Sequence, residues 1–192
     1  MIPCALIMER MFLMAQSLRH PAKRICTGAL LLAMGILLPQ VFHMIGGPAA
    51  GGMFLPMHIP VLLAGLLLGA PYGALLGIIT PLLSFMATGM PAAAKLPFML
   101  LELAAYGALA GLPLSSKPYG FYLNLLIAQI GGRVVNAVAL VVAAHVLHLN
   151  VPAAATVLTA LVTGLPGVAI QWVFLPILAL LLKRGLGFEQ TA

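Results

Sequence analysis

FLPMHIPVLLAGLLLGAPYGALLGIITPLLSFMATGMP, residues 54–91, is the stretch that decides the fold class. It contains no Asp, Glu, Lys or Arg, and it carries glycines at a four-residue period, Gly65, Gly69, Gly73 and Gly77. In lipid, apolar side chains gain little by leaving one another, so helices associate through the close backbone approach that small residues permit. An apolar segment built this way reads as two membrane helices joined by a short turn and packed tightly within a bundle. Gly107 and Gly111 repeat the spacing further on.

The composition of the whole chain agrees. Of 192 residues, 63% are hydrophobic and only 6% charged, against about a quarter charged in a soluble domain. Nine Lys and Arg against three acids give a net charge of +6. The positive residues gather at the two ends of the chain, which points to membrane topology and away from nucleic acid. Cys4 and Cys26 have no motif spacing and suggest neither a disulfide nor a zinc site.

A helix needs about 20 apolar residues to cross a bilayer. Six spans are predicted, over 25–42, 55–68, 72–88, 96–112, 121–147 and 155–182. The connecting segments GGPAAGG, GAP, GMPAAAK, PLSSKPYG and HLNVPAA all contain Pro or Gly and are expected as loops. An even number of spans puts both termini on one side. That side holds Arg10, Arg19, Lys23, Arg24, Lys117, Lys183 and Arg184, and the other holds only Lys95. The bias makes the positive side cytoplasmic. The expected fold is therefore an all-α membrane protein, a bundle of six transmembrane helices with both termini cytoplasmic. Residues 1–24 form an N-terminal arm, 25–184 the membrane domain and 185–192 a short tail.

The arm does not read as a signal peptide, because its apolar run is short and the charges follow it. Cys4, Ile7, Met8, Met11, Ala15 and Leu18 fall at helical spacing, as in a helix lying on the inner leaflet. The alternative is a true start at Met8, Met11 or Met14.

Ionisable groups at bilayer depth are costly and mark function. Glu102 in span four and Arg133 in span five lie at similar depths. Met99, Glu102 and Tyr106 share one helical face, as do Tyr122, Gln129, Arg133 and Asn136, with Gly132 alongside. Gln171 and Trp172 lie near the middle of span six. Two readings stay open. One is a polar pocket between spans four, five and six, with Arg133 taking a carboxylate or phosphate and Glu102 taking a donor group or holding the arginine. The other is a structural ion pair locking two helices. His58 lies near the outer end of span two. His145 and His148 can face one metal, but no Cys or carboxylate nearby completes such a site, so no metal centre is expected. Ala29 and Ala33, one turn apart in span one, form a small-residue ridge suited to a second membrane protein or to the chain's own bundle.

Phosphate-loop, H-E-x-x-H and G-x-S-x-G motifs are absent. With only three acids in the chain, an enzyme is not expected.

The run FLPMHIPVLLAGLLLGAPYGALLGIITPLLSFMATGMP, followed by LPFMLLELAAYGALAGL, resembles the substrate-binding S components of bacterial energy-coupling-factor (ECF) vitamin transporters. The likeness is close over residues 28–112 and thinner beyond, where Gly132, Arg133 and Asn136 are its anchors. The resemblance implies a six-helix subunit of the bacterial inner membrane that binds one vitamin with high affinity near the extracellular face. It implies partners: a transmembrane T component and two ATPases, which use the ATP, with no cofactor in this chain. It implies that Ala29 and Ala33 meet the T component, and that the whole subunit topples in the membrane to carry its pocket inward. The implied solute site draws on residues 46–54, Glu102, Arg133, Asn136 and Gln171, with Gln129 and His58 as further candidates. Cobalt and nickel members begin with Met-His, whereas Met57-His58 is internal here, so a metal cargo is not supported. The alternative is a structural or assembly subunit of a membrane complex with no solute site.

Overall fold

The computed structural model describes residues 4–112, 120–145 and 155–186, all of it helix or short connections, with no strand among these residues. Six helices follow in order: α1 (Cys4–Phe54), α2 (His58–Leu68), α3 (Ala70–Thr88), α4 (Leu96–Ala110), α5 (Gly120–His145) and α6 (Ala155–Leu186). Five segments are long and apolar enough to cross a membrane, namely Pro21–Gly47, Ala49–Leu68, Ala70–Thr88, Phe121–His145 and Leu158–Ala179. The 15 residues of α4 are apolar but shorter.

The expected loop GGPAAGG is a sharp break followed by helix. At Gly47 the backbone turns to φ 65°, ψ −167°, which separates two helical stretches within α1, and the spans Pro21–Gly47 and Ala49–Leu68 lie on either side of it. Gly47 and Pro48 thus punctuate the chain as expected, while the residues after them are helical up to Phe54. That second stretch stops at Leu55, a non-glycine residue at φ 49°, whose carbonyl accepts the His58 N–H at 3.0 Å. The start of α1 at Cys4 also leaves no break between the expected arm and the first span. The expected loops PLSSKPYG and HLNVPAA lie outside the described residues, apart from the last Gly of the former.

Gly69 alone joins α2 to α3. At φ 97° it adopts a conformation that L side chains disfavour, and Pro71 begins α3 where no backbone donor is needed. α2 is the central helix, with eight of its 11 residues buried. Leu62, Leu63, Ala64 and Leu68 pack there with Leu31 of α1, Leu125 of α5 and Leu175 of α6.

The four-residue glycine period brings α2, α3 and α4 together at backbone distance. A Cβ on Gly65 or Gly73 would strike the Gly107 carbonyl, and one on Gly77 would strike that of Leu103. On α5, Gly131 and Gly132 make room for side chains of α4 instead: a Cβ on Gly131 would strike Leu109 Cδ1, and one on Gly132 would lie 2.7 Å from the Tyr106 ring. Asn124 of α5 donates to the Leu112 carbonyl at 2.6 Å and so ties α5 to the carbonyl end of α4.

Candidate functional site

A cavity of about 780 Å³ opens at one end of the bundle. Its wall comes from the second half of α1, the start of α2, the end of α3 and the connection after it, the start of α4, the end of α5 and the start of α6. It therefore lies at the end away from Lys23 and Arg24, which sit exposed near the beginning of the first span. A volume of this size lies within the range of about 300–1,000 Å³ usual for small-molecule sites.

Arg133 and Glu102 meet in this wall. Arg133 Nη1 lies 3.1 Å from Glu102 Oε1, and Asn136 Nδ2 donates to Glu102 Oε2 at 2.6 Å. The spacing of Arg133 and Asn136 puts both on one face of α5, one turn apart, while Gly132 lets α4 come close enough for the pair to form. Oε2 is thus hydrogen-bonded and Oε1 ion-paired within the protein. Glu102 Oε1, Arg133 Nη2 and Asn136 Oδ1 have no hydrogen-bond partner. Gly164 on α6 faces the arginine: a Cβ there would stand 3.5 Å from Nη2.

His58 also lines the cavity, with its ring edge-on to Tyr106 at a centroid distance of 5.0 Å. Neither of its ring nitrogens has a partner. The rest of the wall is mainly apolar and rich in methionine, with Met57, Met90, Met99 and Phe98 contributing.

Of the residues singled out in the sequence, Glu102, Arg133, Asn136 and His58 come together at the cavity. Gln129 and Gln171 do not line it. They bond to each other, Gln129 Nε2 donating to Gln171 Oε1 at 3.0 Å, and Trp172 Nε1 donates to Gln129 Oε1 at 2.7 Å. This group fastens α6 to α5, with Gln171 Nε2 left without a partner, and the pocket is not confined to spans four, five and six as expected. At 1.5 Å per residue, Arg133 and Asn136 lie about 6 and 10 Å along α5 from Gln129. From the 46–54 segment, Gly51 and Gly52 reach the wall. Ala29 and Ala33 are exposed on the outside of the bundle, beside exposed Leu30 and Leu37. Among the described residues no group of His, Cys, Asp or Glu is arranged to hold a metal; His148 lies outside them.

Sequence reasoning missed Ser84, Thr163 and the rim residues His43 and Lys95 as parts of this wall. Lys95 carried a usable signal, since it is the lone charge among the connections predicted on that side.

The fold is that of a multi-pass helical membrane protein, with a cavity of small-molecule size at one end and a buried ion pair in its wall. A family model described as the substrate-specific component of ECF transporters matches residues 23–180, and the chain belongs to that family. It is thus a transporter subunit. Comparison with curated proteins and with solved structures returned no match.

Proposed function

We propose that this chain is the high-affinity S subunit of an ATP-driven uptake transporter for an acidic vitamin or vitamin precursor, bound in the cavity with Arg133 as its anchor. The observation that carries the acidic class is the charge of the wall. Arg133 and Lys95 stand against the single carboxylate of Glu102 among the described lining residues, leaving one positive charge for the solute to balance. Pantothenate, another small carboxylate vitamin or a larger cofactor precursor fits this reading. In this reading the chain crosses six times, the short α4 included, and the bias of Lys and Arg toward the side of the termini supports a cytoplasmic location for both, with the cavity mouth outside. A helix of 15 residues is about 22 Å long, so the bilayer thins locally around it. A T component meets Ala29 and Ala33, and two ATPase subunits supply the energy. The chain itself uses no cofactor.

Mass spectrometry of the small molecule retained by the purified protein identifies the solute. Arg133→Ala then lowers affinity for it by about 2–5 kcal/mol, the cost of leaving a desolvated charge unpaired. Arg133→Lys restores only part, since an ammonium lacks the guanidinium fork.

The engagement of both Glu102 oxygens favours a second reading, in which the pair is a structural lock. In that case Arg133→Ala lowers the melting temperature without changing affinity, and Glu102→Gln combined with Arg133→Gln restores stability.

A further inference from the structure

Two buried polar residues in the cavity wall have no task within the protein. His58 on α2 is 5% exposed and Ser84 on α3 is 1% exposed. Both line the cavity, and neither the His58 ring nitrogens nor Ser84 Oγ has a hydrogen-bond partner. Hydroxyls in helices ordinarily bond back to a carbonyl one turn earlier. Thr88 does so to Ser84 at 2.7 Å, and Thr163 to Thr159 at 2.8 Å. Ser84 does not. Thr80, one turn before it, is equally unpartnered but packs toward Gly35 of α1 and lies outside the cavity wall. A buried polar group without a partner destabilises the protein that carries it, so His58 and Ser84 are suited to a partner that arrives with the solute.

We infer that His58 and Ser84 form a second polar subsite, distinct from the Arg133 anchor, that reads an uncharged hydrogen-bonding group of the solute. A cationic group finds no free counterion in the wall, and the acidic group of the solute is assigned to Arg133, which leaves an uncharged group for His58 and Ser84. Glu102 is the one carboxylate among the described lining residues, and Arg133 and Asn136 already occupy it. An imidazole and a hydroxyl each both donate and accept, which matches a hydroxyl or an amide. The inference rests on the proposed solute-binding role and narrows it: the solute is an acid that also carries a hydroxyl or an amide-like N–H and C=O. Gly132 supports the subsite by making room for the Tyr106 ring that backs His58.

The test is calorimetric titration of the purified full chain with three acids. Pantothenate and biotin carry hydroxyl, amide or ureido groups, and lipoate carries none. The expected result is that pantothenate or biotin binds more tightly than lipoate. Ser84→Ala and His58→Phe each weaken that binding about tenfold, the worth of one hydrogen bond, and leave lipoate unaffected. Without solute, both variants melt at or above the wild-type temperature, because each removes an unpartnered buried group. The inference is overturned by unchanged affinity in both variants, by lipoate being the tightest of the three, or by lower solute-free melting temperatures. Loss of affinity in Ser84→Ala with full affinity in Arg133→Ala overturns the anchor and leaves the subsite standing. Loss in Arg133→Ala alone does the reverse. If none of the three acids binds the wild type, both fall.

Discussion

Replacing Gly107 by alanine tests whether the bundle is held by backbone contact. A Cβ at this position would overlap the carbonyl group of Gly73 and lie 2.9 Å from its Cα, where ordinary contact is 3.4–4 Å. The obstacle is backbone on a packed helix, so no rotamer change relieves it. α3 and α4 must separate by roughly 1 Å, a gap that forfeits up to half of the dispersion energy of each contact across it. Overpacking of this kind costs about 1–3 kcal/mol where side chains can adjust, and the absence of an adjustable side chain sets the expectation at about 3 kcal/mol. Gly28→Ala is the control, because its Cβ would meet only Leu68 Cδ1 at 3.7 Å and Leu76 Cδ1 at 3.9 Å. Its stability is expected within about 1 kcal/mol of wild type. The measurement is thermal unfolding in detergent followed by circular dichroism. Since one separation relieves both overlaps, Gly73→Ala with Gly107→Ala costs less than the sum of the single variants. Glu102 lies five residues before Gly107 on α4, so solute affinity falls together with stability. Equal melting of Gly107→Ala and Gly28→Ala would refute the backbone-contact account.

In a background lacking Cys4 and Cys26, a cysteine at Ala50 is expected to react with an impermeant thiol reagent in intact cells and one at Ser116 to resist it; the reverse pattern inverts the topology. Ala29→Trp or Ala33→Trp is expected to prevent co-purification with a T component while solute binding persists, because bulk on a small-residue ridge blocks helix approach. Gln171→Leu leaves the Gln129 side-chain amide without its acceptor in the bundle interior and is expected to lower stability by about 1–3 kcal/mol, measured by the same melting experiment.

Much of the helix order was legible because long apolar runs and their Pro and Gly punctuation are strong signals in a membrane chain. In the 46–52 segment the break was legible, because glycine accepts the positive φ found at Gly47, but the helical turns that follow it were not. Among the site residues, Glu102, Arg133 and Asn136 stood out because charge and amide groups are rare in this sequence. Ser84 and Met90 were silent: a serine or methionine in a membrane chain is ordinary, and only the fold brings them into the same cavity wall as the charged pair. Gln129 and Gln171 misled for a related reason. The stripe on α5 is one continuous face, but it is longer than one cavity, and periodicity gives direction around a helix without saying which neighbour is met at each height.

Trp172 is the chain's single tryptophan. Its indole N–H is committed to Gln129, its ring lies 6.0 Å from that of Tyr122, and it does not line the cavity. The protein therefore carries a built-in optical probe that watches one joint and not the chamber. Its emission is sensitive to any slip of α6 along α5 and blind to simple contact with a bound molecule. A spectral change on adding solute thus reports that occupancy of the chamber has been felt at the α5–α6 seam. Binding with a silent spectrum reports a seam that stays shut.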